Sequence, residues 1–289
     1  TVAAEAELQA AAEAEAEAGV EAAAELDAAA QAALAEAFAI AEGGRPGPVL
    51  VDLPKDVQQA VCGQWDDVME GDDLRPSPSP ESLEQAEKLI AGANKPLLYI
   101  GGGVGRSNAT DLVREISERT GIPAVATLQG LGVLPAEHPN FVGMLGMHGG
   151  KAANMAVQES DLLIVIGARF DDRATGNLAS FAPNASVVHI DTDAAEFGKL
   201  RHAHSTMCGD LKRCLRTIEF TPGDISEWQA ETRRLKEEHA PRYDAPGNGV
   251  FAPELLKKLS ERAGDAFVAA CDVGQHQMWV AQHCRFSRP

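Results

Sequence analysis

GMLGMHGGKAANMAVQESDLLIVIGARFDDR, from Gly143 to Arg173, reads as a glycine turn, a short helix, a buried strand and a second turn. The helix spans Lys151 to Glu159, the strand Leu162 to Ile166, and the second turn opens at Gly167. The apolar run after Asp161 is short and stops at a glycine, which predicts a strand covered on both faces, as in a parallel α/β sheet. Such sheets bind ligands in the loops beyond the carboxyl ends of their strands. Glycines there admit close backbone approach, and Arg169 and Arg173 offer forked donors to phosphate or carboxylate. A nucleotide-type ligand at Gly167 to Arg173 is the first expectation.

Further strands and helices alternate on both sides of this stretch. Leu83, Ala86, Leu89 and Ile90 share one face of a helix over Glu81 to Gly92. A strand over Leu97 to Ile100 then runs into Gly101-Gly102-Gly103-Val104-Gly105. A helix over Ala109 to Thr120, a strand over Ala124 to Thr127 and a turn at Gln129 to Gly132 follow. Beyond the opening stretch come a strand over Val187 to Ile190 ending in Asp191, a helical Ala194 to Leu200, and a short strand leading to Gly209-Asp210. This pattern predicts an α/β fold, a parallel sheet with helices on both faces, over residues 81–217.

The flanks read differently. Residues 1–33 are an Ala/Glu-rich lead-in, helical or disordered, and 34–61 add a short β run over Val49 to Leu53 closed by Pro54. Residues 62–80 are acidic and proline-rich, as an inter-domain linker is. Residues 218–249 hold a charged helix (Ile225 to His239) and a proline-rich link. Residues 250–289 open another α/β unit, with a helix over Pro253 to Ala263 and a strand over Ala266 to Cys271.

Composition narrows the function. A net charge of −18 argues against a nucleic-acid backbone or an anionic membrane as partner. Ten acidic and no basic residues fall within 1–42, so more than half of that charge lies there. Five cysteines without a CxxC pair predict reduced thiols in a cytoplasmic protein. No apolar run approaches the ~20 residues that cross a bilayer, and no signal peptide is visible. Without an initiating Met, the sequence reads as part of something longer.

Each motif has a plainer reading beside the functional one. Gly101 to Gly105 lies between strand and helix, where phosphate-cradling turns occur, but the strict GxGxxG spacing meets Arg106, and a plain turn serves as well. Asp191 at a strand end suits a ribose hydroxyl, or an N-cap that Asp193 could equally provide. His148 between glycines is more simply a local hydrogen-bonding residue. His202, His204 and Cys208 match no usual zinc spacing. Asp171 and Asp172, flanked by Arg169 and Arg173, suit a structural salt link better than a catalytic acid pair. Neither a Gly-x-Ser-x-Gly elbow nor an HExxH occurs.

Five blocks together resemble the large catalytic subunit of the acetohydroxyacid synthase (acetolactate synthase) family: GRPGPVLVDLPKDVQ, GMLGMHG, ESDLLIVIGARFDDRATG, HIDTDAAEFGK and DVGQHQMW. The resemblance covers Leu34 to Pro289 in the family's order. It implies a transferase of branched-chain amino-acid biosynthesis that joins two 2-oxoacids with loss of carbon dioxide, using thiamine diphosphate, Mg2+ and FAD. It also implies three α/β domains: 34–61 ends the pyrimidine-binding domain, 81–217 is the FAD-binding middle domain, and 250–289 starts the diphosphate-binding domain. FAD contacts fall on Gly101, Gly102, Gly103, Thr127, Leu128, Leu145, Gly146, Met147 and His148. They continue through Gly167, Ala168, Arg169, Asp171, Arg173, Asp191, Thr192, Gly209 and Asp210. Gln275 and His276 match positions at the thiamine diphosphate, and Met147, Asp172 and Arg173 match a substrate channel. A homodimer, a regulatory subunit and a cytoplasmic (in plants, plastid) location are implied as well.

The departures set a further expectation. The activating glutamate has no matching segment here, the Gly-Asp-Gly metal element would follow Pro289, and residues 1–33 lack the arginine that the family places before Leu34. These 289 residues are therefore expected to be inactive alone, and no catalytic or metal-binding residue is assigned. The alternatives are a stand-alone FAD- or nucleotide-binding module, or another thiamine enzyme such as glyoxylate carboligase or pyruvate oxidase.

Overall fold

The computed structural model describes residues 28–59, 76–244 and 248–289. The chain divides into two compact units, Thr1–Arg75 and Pro76–Pro289. In the first, residues 28–42 form a helix (α1), and Lys55–Gln59 form a second (α2). The strand expected over Val49 to Leu53 is absent: the segment is irregular, and Val49, Leu50 and Leu53 are exposed. β-propensity makes a strand only where another strand pairs with it, and the described residues of this unit supply none. Most of the Ala/Glu lead-in and of the linker lies outside the described residues.

The second unit is built on a six-stranded parallel sheet in the order β3-β2-β1-β4-β5-β6. The strands are β1 (Pro96–Ile100), β2 (Ala124–Ala126), β3 (Phe141–Met144), β4 (Leu162–Ile166), β5 (Ser186–Asp191) and β6 (Ser205–Cys208). β1 and β4 are buried at every residue and pair in register, Pro96 with Leu162 through Ile100 with Ile166. Their continuous apolar runs therefore reflect cover on both faces. The sheet forms the heart of the core with Ile90, Val113, Ile116, Val157 and Leu215 from the helices.

The helices are α3 (Pro80–Gly92), α4 (Gly103–Arg106), α5 (Thr110–Thr120), α6 (Lys151–Glu159), α7 (Asp172–Thr175), α8 (Leu211–Thr217), α9 (Ser226–Glu238), α10 (Ala252–Ala263) and α11 (Gln275–His283). Ser79 caps α3 by accepting from Ser82 N at 3.1 Å, with Pro80 at the first helical position. α5 stops at Gly121, whose φ of 69° is left-handed. α5 packs against α8, and α6 against α9.

Three further expectations are corrected. β3 was read as a turn because of Gly143, yet it is the edge strand, and Gly143 sits at φ 140° beside a register shift against β2. The helical Ala194 to Leu200 shrinks to a 3-10 turn at Ala194–Glu196. The expected strand from Ala266 to Cys271 is a 3-10 turn (Gly264–Ala266) followed by irregular chain, while Gln275 to His283 form the unforeseen α11. The charged helix expected over Ile225 to His239 is present as α9, and Trp228 and Leu235 make it part of the core.

Candidate functional site at the sheet reversal

Strand order reverses between β1 and β4, which run side by side while their chains leave in opposite directions along the sheet. A crevice opens at the carboxyl ends of such a pair. The two turns beside it are glycine on glycine. A Cβ on Gly101 would meet Gly167 O at 2.1 Å and Ala168 Cβ at 2.5 Å, and one on Gly103 would meet Gly167 Cα at 2.7 Å. Gly101 N donates to Ile166 O at 2.9 Å and Gly103 N to Gly167 O at 3.0 Å, so the turns are stitched as well as packed. Gly167 itself is left-handed at φ 60°. Gly105 serves another purpose: its Cβ position faces Pro289. The chain enters the short α4 here rather than one long helix, unlike a GxGxxG fingerprint.

Of the other predicted contacts, Leu128, Met147 and Arg169 expose side chains, whereas Leu145 and Ala168 are buried and can offer only backbone. Asp171 caps α7 by accepting from Arg173 N at 3.0 Å and pairs with Arg169 Nη2, also at 3.0 Å. The Arg173 amide and the Arg169 guanidinium hold its carboxyl below the usual range, with burial opposing. The expected salt link is thus present, but it is exposed and worth under about 1 kcal/mol. Between these residues Phe170 is buried in a left-handed conformation (φ 55°). Its ring packs edge-on against Tyr99 and His189, both at 5.5 Å. Burying that ring is worth about 1.5–3 kcal/mol, which offsets a left-handed cost of about 1–2 kcal/mol.

At the end of β5, burial raises the Asp191 carboxyl above its ordinary pKa, while Oδ1 accepts from Asp193 N at 3.0 Å. Asp193 supplies the cap to Ala195 N, which frees Asp191 from that role. Gly209 N donates to Asp191 O at 3.1 Å, and a Cβ on Gly209 would meet Pro76 O at 2.2 Å, so this glycine admits neighbouring chain. Asp210 caps α8 through Arg213 N, and Thr192 O receives the Cys208 thiol. Gln275 and His276 are exposed at the start of α11, away from these strand ends in sequence; Gln282 at its far end reaches back to His148 O at 2.6 Å.

His202 and His204 stack edge-on at 5.3 Å, but His204 Nδ1 accepts from Val187 N, and no set of three metal-ligating side chains occurs among the described residues. Cys208, Cys214, Cys271 and Cys284 are free thiols.

Sequence reasoning missed two residues that shape the crevice. Asn154, from α6, brackets Gly146. His189, in the middle of β5, sits fully buried with Nε2 at 2.7 Å from Ala168 O. A lone histidine inside the apolar run Val187-Val188-His189-Ile190 was the available signal. Burial lowers its pKa, with the Ala168 carbonyl and Glu196 opposing, so the ring is neutral and donates from Nε2. The unfolded chain therefore takes up this proton more readily than the folded one. The neutral ring's contribution is complete above the unfolded value of about 6.5 and is lost as pH falls below it. The drop in thermal midpoint from pH 7.5 to pH 5 is accordingly expected to be smaller in His189→Gln. Equal drops in both proteins would refute this role.

Residues 83–218 match the family described as "Thiamine pyrophosphate enzyme, central domain". The chain is 51% identical over 257 residues to the acetolactate synthase isozyme 2 large subunit of Escherichia coli K12, covering 88% of this chain and 46% of that protein. It is 45% identical to the acetolactate synthase large subunit of Corynebacterium glutamicum (88% of this chain, 42% of that one). It is 41% identical to the chloroplastic acetolactate synthase 1 of Oryza sativa subsp. japonica (88% and 41%). The chain thus spans less than half the length of these relatives.

Proposed function

We propose that this chain, a homologue of acetolactate synthase large subunits over most of its length, is the part of such an enzyme that holds its flavin. The observation carrying the reading is the glycine-on-glycine reversal between β1 and β4, which coincides with the family's GARFDDR block. FAD would lie against the turns at Gly101 to Gly103 and Gly167. Because the N–H groups of Gly101, Gly103 and Gly167 are already donated to Ile166 O, Gly167 O and Ile190 O, the exposed Arg169 guanidinium would be the main donor to the phosphates. Asp191 would accept from a ribose hydroxyl, and Leu145 to His148 would border the ring system. Thr127, Leu128, Ala168, Asp171, Arg173, Thr192, Gly209 and Asp210 complete the proposed surface. Gln275 and His276 would meet thiamine diphosphate, which when bound would supply a nucleophilic carbon to the 2-oxoacid carbonyl and a sink for the electron pair left by loss of carbon dioxide. Met147, Asp172 and Arg173 would line the path of the 2-oxoacids. No described cluster could hold Mg2+, so the ion belongs in this proposal to the full-length enzyme. A homodimer, a regulatory subunit and a cytoplasmic or plastid location belong there too.

The test is uptake of FAD by the purified chain, read as a flavin absorption band after gel filtration. A band supports the reading; binding of ADP without one favours a plain nucleotide module and sinks it. Arg169→Ala is expected to weaken FAD binding about ten-fold, the loss of one charge-assisted hydrogen bond. An unchanged affinity by fluorescence titration would remove Arg169 from the site.

A further inference from the structure

The loop Gly146-Met147-His148 is held at each residue by a different element. Gly146 N donates to Asn154 Oδ1 at 2.8 Å, and Asn154 Nδ2 donates back to Gly146 O at 3.0 Å. Met147 N donates to Arg173 O at 2.8 Å, and Gln282 Nε2 donates to His148 O. The first of these grips is the most restrictive. One carboxamide closing on both the N–H and the C=O of a residue fixes the peptide planes on either side of it. Gly146 needs such a hold, because its φ of 104° is a conformation that only glycine visits freely. A Cβ there would also meet Arg173 O at 2.6 Å, so no other residue fits at this position without moving the backbone. Met147 is 59% exposed, and its side chain gains little fixing from the core.

Asn154 pays for no helical advantage of its own. Asparagine is a poor residue for a helix interior, and both of its hydrogen bonds leave α6. It also borders a surface hollow of about 370 Å³ with Gly149, Lys151 and Gln158, so truncating it opens no cavity in the core.

We propose that Asn154 is a positioning residue, locking Gly146 so that Met147 and His148 present a single arrangement to the ring end of a flavin at the β1/β4 crevice. This rests on the flavin reading above, and the experiment separates the two. Asn154→Ala should lower the thermal midpoint only modestly, since alanine's preference for the helix offsets part of the loss of the two hydrogen bonds to Gly146. Amide hydrogen exchange at Gly146 and Met147 should quicken about ten-fold, the loss of roughly one hydrogen bond, while β4 is unaffected. FAD affinity should fall by a similar factor, with a shifted flavin band. Asn154→Asp keeps the acceptor for Gly146 N but loses the donor to Gly146 O, and should loosen the loop too. Unchanged exchange at Gly146 and Met147 in both variants overturns the clamp whether or not flavin binds. Faster exchange with unaltered FAD affinity and band overturns the positioning role. If the wild-type chain takes up no flavin, the functional reading fails and with it the positioning role, while the exchange data still decide the clamp itself.

Discussion

Gly101→Ala is expected to cost the second unit about 3 kcal/mol or more, and to abolish flavin uptake at the same time. The added methyl would lie 2.1 Å from Gly167 O and 2.5 Å from Ala168 Cβ. Neither neighbour is the loose end of a side chain. Gly167 is itself fixed by donation to Ile190 O at 2.9 Å, and Ala168 O is held by His189. Relief therefore requires β1 and β4 to part at the centre of the sheet. Overpacking commonly costs about 1–3 kcal/mol, and this site stands at the upper end because backbone must move. Thermal or urea unfolding measures it; a stability within about 0.5 kcal/mol of wild type, the scale of an ordinary surface change, would show that the two turns can part without cost.

Trp228→Ala is expected to be as damaging, at about 3–5 kcal/mol, although it lies in a helix that looks like a charged connector. Trp228 is 1% exposed, its Nε1 donates to Pro96 O at 2.9 Å, and Lys95 Nζ stands 5.0 Å above its ring. The surrounding charges are more conspicuous but weaker. Lys95 pairs with Glu231 at 2.8 Å and with Glu159 at 3.7 Å, all of them about a third exposed. Exposed pairs of this kind contribute under about 1 kcal/mol. Lys95→Ala should thus shift the urea midpoint far less than Trp228→Ala. Comparable shifts would mean that the ion network, and not the ring, fastens α9.

The centre of the fold was legible because each central strand carries its own explanation. Leu162 to Ile166 is apolar throughout, bounded, and buried on both faces, so composition and environment agree. The same held for α6, whose bounds came out as expected. Where reading failed, the deciding partner lay elsewhere in the chain. Phe141 to Met144 became a strand because β2 accepts it as an edge, despite Gly143. Val49 to Leu53 and Ala266 to Cys271 have strand-like residues but no strand beside them among the described residues. In the candidate site, glycines and arginines announced themselves by type. Asn154 and His189 did not, since their roles are set by backbone atoms eight and twenty-one residues away.

The order of the strands also has a consequence for how the chain comes to fold. β1, β2 and β3 follow one another along the sequence and form one half of the sheet, but the other side of β1 is filled only by β4. While a ribosome is still delivering the residues before Leu162, that half-sheet carries a bare, wholly apolar edge at what will become the centre. Open strand edges of this kind recruit other chains, and distant parallel pairings form slowly. The interval between completing β3 and delivering β4 is therefore the period of greatest exposure to aggregation, and the one in which a chaperone has most to protect.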